Sequence, residues 1–283
     1  MNGPLLVVGG DGLVGRALLA DCRLHNEITL ATVLTEPAVP GASVHFDLLC
    51  DPWPVLPSCR AAVLCAAIAN QEACRLDPAA TRDLNVVRTL RLAQQLLSAG
   101  TFVVFLSTNM VFDGSRPRRR ADESVSPKTE YGRQKAEAEA GLLKLGERCA
   151  VVRLAKVFYR DLALIKTWRE KLNAKQPIRA FSDYVCSPVP LSCVTQIIRS
   201  VAGSEKSGIW QVSATEDVSY ADIALQVAKH SGADTALVRA APAPPGSVEH
   251  LPHFTTMDAS RVEEELQLRI PSAAETLERE LGA

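Results

Sequence analysis

VVGGDGLVG, residues 7–15, decides how this chain folds. Its two valines close a short apolar run, LLVVGG at 5–10, that glycines stop. Behind Gly12 the apolar positions, Leu13, Ala17 and Leu18, recur at helical rather than alternating spacing. Strand, glycine turn, helix is the context a glycine motif must have before it carries meaning. Glycine permits the tight turn and the close approach of backbone to a pyrophosphate, while the helix offers unpaired N–H groups and the positive end of its dipole. A merely tight strand-to-helix turn explains the order of elements less well, so a dinucleotide site is expected at Gly9, Gly12, Leu13, Val14 and Gly15.

The same alternation continues outward. Strands are expected at 28–34, then a weaker one ending near HFDLL (45–49), and another at 61–67. Asp77 before Pro78 starts a helix, and Leu84, Val87, Leu90, Ala93 and Leu97 hold one face until Gly100 ends it. TFVVFLS (101–107) reads as the next buried strand, a helix opens at Ser126 and Pro127 and runs to about Leu145, and CAVVRLAKV (149–157) is a strand again. The pattern predicts an α/β fold: a Rossmann-type doubly wound parallel sheet over 1–157, with a smaller C-terminal substrate-binding lobe over 158–283. Within the second part, helices are expected at 162–174, 192–202 and 220–231, a proline-rich loop at APAPP (241–245), and an amphipathic helix at the end. The strand near 208–214 is expected to return to the Rossmann sheet.

Bulk properties exclude some classes. In 283 residues, 31 Lys and Arg against 32 Asp and Glu leave a formal charge of −1, which argues against a nucleic-acid or membrane-surface partner. The longest apolar run, AAVLCAAIA at 61–69, is far short of the roughly 18 residues of a membrane span. The chain enters its first strand without a secretory signal, which predicts a cytoplasmic protein. Its eight cysteines lack C-x-x-C pairs and histidines at ligand spacing, so reduced core thiols are expected, and no metal.

Two further stretches carry chemistry. LSTNMVFDG (106–114) ends a buried strand with the hydroxyls of Ser107 and Thr108, at the sheet edge where open α/β sites lie. EYGRQKAEAEA then puts Tyr131 and Lys135 at i and i+4, on one helix face. A nearby ammonium and the cofactor's charge are expected to lower the phenol from its usual value of about 10, letting Tyr131 exchange a proton with a carbonyl or alcohol. Ser107 or Thr108 can hydrogen-bond the same oxygen. Such a Tyr–Lys pair alone is weak evidence; glycine turn, Ser–Thr strand end and Tyr–Lys helix in this order are together strong.

In that order the chain resembles the extended short-chain dehydrogenase/reductases, and within them the dTDP-4-dehydrorhamnose reductase family. GGDGLVG, CAAIANQEACRLDP with Asn85, STNMVFDG, DESVSPKTEYGRQKAEAE and VVRLAKVF follow the family's order, and SDYVCSPVPLSCV, GIWQVSATEDVSYADIALQVA and DASRVEEEL resemble its later segments. The resemblance implies NAD(P)H-dependent reduction of a keto group on a nucleotide sugar or similar small carbonyl compound. Tyr131 would supply the proton, Lys135 would hold the nicotinamide ribose, and Thr108 would orient the substrate oxygen. Ala66, Ala67 and the backbone from Leu154 to Val157 would wall the cofactor, and Asp47 and Leu48 would neighbour the adenine. Between NADP and NAD the choice leans to NADPH, although VLTEP, with Glu36 late, lacks both the acid for a ribose hydroxyl and the arginine for a 2′-phosphate.

Departures from the family limit the substrate. Asn109 and Met110 stand where these reductases read Asp-Tyr, and they cannot supply the acid–base pair by which related dehydratases eliminate water. Ser107, Asn109, Met110 and Arg119 are the expected substrate contacts. Arg119 belongs to SRPRRRADES (115–124), which reads first as a solvated loop and second as a receptor for an anionic group. Alternatives stay open: a non-catalytic NADP-binding regulatory subunit like the β subunit of methionine adenosyltransferase, or an NAD-dependent sugar epimerase. A homodimer also stays open.

Overall fold

Leu5, Leu6, Val7 and Val8 are each no more than 1% exposed, although neighbours in a strand point to opposite faces. Both faces of the first strand must therefore be covered, as in a parallel sheet clad by helices on each side. The computed structural model, which describes residues 3–34 and 42–282, has this architecture. Glu36 lies outside the described residues.

In chain order the first elements are β1 (Leu5–Val8), α1 (Leu13–Leu24), β2 (Thr29–Val33), β3 (Ser43–His45), β4 (Ala61–Leu64), α2 (Gln71–Leu76) and α3 (Pro78–Arg82). After a π-helical turn at Asp83–Arg88 come α4 (Thr89–Ser98), β5 (Phe102–Thr108), α5 (Glu130–Lys144), β6 (Cys149–Leu154), β7 (Lys156–Phe158), α6 (Ala163–Asn173), β8 (Ile178–Phe181), β9 (Val185–Cys186) and β10 (Pro188–Pro190). The remainder comprises α7 (Leu191–Ser204), β11 (Gly208–Val212), β12 (Val218–Ser219), α8 (Tyr220–His230), β13 (Val238–Ala241), α9 (Ser260–Leu266) and α10 (Ala273–Gly282).

Seven strands form one sheet in the order β11-β6-β5-β4-β1-β2-β3, every pair parallel. The order reverses at β1, the switch point at which such sheets open a crevice. Leu5 and Val7 join Leu18, Ile197, Val201 and Trp210 on one face, under α1 and α7. Leu6 and Val8 join Leu92, Leu96 and Leu142 on the other, under α4 and α5. Truncating one of these leucines to alanine costs about 2–5 kcal/mol, because a close-packed interior does not refill the gap.

Several boundaries differ from expectation for local reasons. The helix expected from Ser126 begins at Glu130, because Thr129 Oγ1 accepts the Gly132 N–H at 3.1 Å and caps it there. CAVVRLAKV is not one strand: the chain leaves the main sheet at Ala155, and β7 pairs instead with β10. The strand from Ala61 stops at Leu64, and Cys65 and Ala66 both turn their N–H groups to Val8 O. Ala241, expected in the proline-rich loop, ends β13, which pairs with β8. After β6 the chain divides its loyalties: α7, β11 and α9 pack with the main sheet, whereas α6, β8, α8 and α10 build a separate core around Trp168 and Ile223.

Candidate active site

At the end of β1, Gly9 takes φ +83°, and a Cβ there would come within 2.8 Å of Ala66 N. A Cβ on Gly15 would overlap the Gly9 carbonyl. These two glycines let α1 start directly over the strand. Gly12 is its N-cap and provides no side-chain bond to the first turn, so the leading N–H groups of the helix stay open. An added Cβ at Gly12 would meet nothing nearer than the Gly9 carbonyl at 3.4 Å, so this backbone edge is clear for approach. A groove of about 530 Å³ lies against it, lined by Gly9, Gly12, Asp47, Leu48, Ala66 and Ala67. Open helix N–H groups, a glycine edge and an apolar groove fit a dinucleotide phosphate with its adenosine. Of the remaining expected contacts, Leu13 faces the next hollow, Val14 packs toward the core and Gly15 is buried.

That next hollow, a cleft of about 360 Å³, adjoins the groove along the chain at Gly12–Leu13 and Ile68–Ala69. Thr108, Asn109, Met110 and Tyr131 all line it. Thr108 ends β5, and its Oγ1 accepts the Met110 N–H at 3.2 Å, which turns the chain sharply. Helix α5 reaches this turn because position 132 is glycine, where a Cβ would overlap Met110 O. Tyr131 is thereby held beside Thr108 at the cleft. Lys135, one turn on, is buried; its Nζ donates to Leu106 O at 2.7 Å and sits 4.4 Å from the centre of the Phe105 ring.

The electrostatics differ from expectation at Tyr131. Burial pushes its phenol up from the usual value, with the Cys74 thiol adding to the rise. Lys135 Nζ lies 5.9 Å from the centre of the Tyr131 ring and gives its bond to Leu106 O, so without a cofactor's charge it does not draw the phenol down. Burial lowers Lys135 itself to about 8, opposed by Glu139.

Two expected substrate contacts do not reach the cleft. Ser107 is buried and donates to the carboxylate of Glu139, two turns beyond Tyr131 on α5, outside the cleft lining. Arg119 is neither solvated nor open to an anion. Its Nε pairs with Glu123 at 2.7 Å and its Nη1 with Asp113 at 3.2 Å, while the guanidinium covers the Phe112 ring. Its exposed neighbours Arg116 and Arg120 pair with Glu123 and Asp122.

The opposite wall is built from later segments. Ala155, Lys156 and Val157, from the stretch expected to wall the cofactor, line this cleft and not the groove, and Tyr184 stacks on Tyr220 with ring centres 5.0 Å apart. His250, Phe254 and Thr255 close over them. Asn109 Nδ2 approaches Thr255 O at 3.5 Å across 146 residues, and His250 Nε2 lies 2.8 Å from Asp113 O. All eight cysteines are free, and five are buried. Among the described residues no helix is long and apolar enough to cross a membrane.

A family model described as the RmlD substrate binding domain matches residues 1–282. The β subunit of methionine adenosyltransferase 2 from Bos taurus is 26% identical over 165 residues, covering 56% of this chain and 48% of that protein. The match thus spans about half the length of that curated relative. A dTDP-4-dehydrorhamnose reductase from Clostridium acetobutylicum superposes with a TM-score of 0.83 at 19% identity over 98% of both chains. The enzyme of that name from Bacillus anthracis, solved in complex with NADP, gives 0.84 at 18% identity over 99% of both. These two likenesses establish the fold.

Proposed function

The chain belongs to the RmlD substrate binding domain family, and from that premise we propose that it is an NAD(P)H-dependent reductase of a keto group on a nucleotide-linked sugar. One observation carries the reading: Thr108 and Tyr131 present hydroxyls to a single cleft that adjoins the glycine-edged groove. The residues of the second core, around α6, β8 and α8, serve as the substrate lobe.

Gly9, Gly12 and the start of α1 would receive the phosphates of a nicotinamide cofactor, Asp47 and Leu48 would flank its adenosine, and Ala66 and Ala67 would form its wall; bound there, it would supply the hydride. Thr108 holds the substrate carbonyl oxygen. Tyr131 then gives its phenolic proton to that oxygen as negative charge builds there. The upward push of burial on Tyr131 keeps the proton in place until it is needed. Lys135, lowered to about 8, still carries most of its charge near pH 7. With Nζ 5.9 Å from the Tyr131 ring centre, it would hold the cofactor's ribose and favour the phenolate left behind.

The test mixes the protein with NADPH or NADH and a panel of 4-keto nucleotide sugars and small carbonyl compounds, following nicotinamide absorbance. Turnover that Tyr131→Phe abolishes supports the reductase. The subunit named among the relatives favours a second reading, a cofactor-binding partner protein; nucleotide binding without turnover on any substrate would select it. Tightly held NAD with no net consumption would select an epimerase.

A further inference from the structure

We propose that Lys156, assisted by Lys128, forms a binding site for a carboxylate carried by the sugar next to the carbonyl that is reduced. This rests on the nucleotide-sugar reading above.

The cleft that Thr108 and Tyr131 share is lined by two lysines and, among the described residues, by no aspartate or glutamate. Neither Lys156 nor Lys128 forms an ion pair with a described residue. Asp217, whose charge also reaches the Cys186 thiol, is taken up by Thr255, whose N–H it accepts at 2.9 and 3.1 Å. Lys156 is half-buried, and its charge is felt at the Cys186 thiol, where it opposes the upward push of burial. A half-buried ammonium without a counterion in a cleft otherwise furnished with hydroxyls, amides and aromatic rings is matched by an anion brought with the substrate.

Placement selects the kind of anion. Leu154 lies opposite Thr108 in the β5–β6 register. Lys156 follows two residues later, just past the point where the chain leaves the main sheet, and shares the cleft with Thr108. Lys128 immediately precedes Thr129, the N-cap of the helix that carries Tyr131. The two lysines therefore flank the groups that handle the reacting oxygen. A carboxylate on the ring carbon adjoining a 4-keto group falls at this end of the sugar. The nucleotide's diphosphate, attached across the ring, falls at the other.

Calorimetric titration of the full chain with NADP⁺ present, using UDP-glucose, UDP-glucuronate and UDP, tests the site. The wild type is expected to bind UDP-glucuronate about tenfold or more tighter than UDP-glucose. Lys156→Met should erase that preference, and Lys156→Arg should keep most of it. Equal affinity of the wild type for the two sugars overturns the proposal and leaves the nucleotide-sugar reading standing. An equal loss for UDP, UDP-glucose and UDP-glucuronate in Lys156→Met also overturns it, because the lysine then holds the diphosphate. Binding of NADP⁺ but of neither the three UDP compounds nor dTDP and dTDP-glucose refutes the nucleotide-sugar reading, and this proposal with it.

Discussion

Arg153 Nη2 stands 2.8 Å from Glu139 Oε2 with both side chains buried, so an ion pair inside the protein ties β6 to α5. The Ser107 hydroxyl also serves the carboxylate, and Arg153 Nη1 reaches Gln211 Oε1 at 3.2 Å. A pair this well satisfied is costly to halve. Glu139→Leu strands the guanidinium and is expected to lose about 3–5 kcal/mol in urea unfolding, whereas Glu139→Leu with Arg153→Met should recover most of it. Double and single variants of equal stability would show that the arginine finds another partner.

Stability should depend on pH through Lys135. Burial lowers its folded value from 10.5 to about 8. Between those values the unfolded chain holds a proton that the folded chain has shed, so the wild type gains stability as pH rises through this window. The gain is on the order of 3 kcal/mol, and below about pH 8 it is absent. Lys135→Met lacks the titration. Plotted against pH from about 7 to 10, the difference in unfolding free energy between the two proteins should tilt toward the wild type; a flat difference would contradict a buried ammonium.

Adjacent glycines should fail differently. Gly15→Ala forces a Cβ into the Gly9 carbonyl and is expected to lower Tm or prevent folding. Gly12→Ala has room, with 3.4 Å to its nearest neighbour and an ordinary φ of −74°. Its methyl group narrows the backbone edge instead, so Tm should hold while NADPH affinity, read by fluorescence titration, falls about tenfold.

Tyr131→Phe removes the proton and almost nothing else. With a substrate identified by the panel, kcat is expected to fall by about 10²–10⁴ while NADPH affinity stays within about threefold. A variant that keeps its rate would move the proton transfer to another group.

The sheet and the cleft-lining hydroxyls were legible in the sequence because each rests on a local pattern. VVGGDGLVG pairs a strand with a helix across a few residues, and Tyr131 with Lys135 needs only one helical turn. Ser107 and Thr108 looked equivalent for the opposite reason. Strand alternation sends one hydroxyl to Glu139 and the other to the cleft, and which is which depends on packing against α5. Arg119 sits in a run of arginines whose composition reads as solvated, yet Phe112, Asp113 and Glu123 enclose it. Lys156 was hidden inside an apparent strand that breaks at Ala155 only because β10 offers a second partner. No short-range rule reports contacts such as Asn109 with Thr255.

Residues 250–255 close the cleft from a stretch more than a hundred positions beyond Tyr131 and carry neither the proton donor nor the glycine turn. Substitutions at His250, Phe254 or Thr255 can therefore reshape what enters while Thr108, Tyr131 and Lys135 keep their mutual geometry. Under the proposed function, the choice of what enters and the proton transfer thus rest on separate stretches of the chain, joined where Asn109 meets Thr255 and Asp113 meets His250.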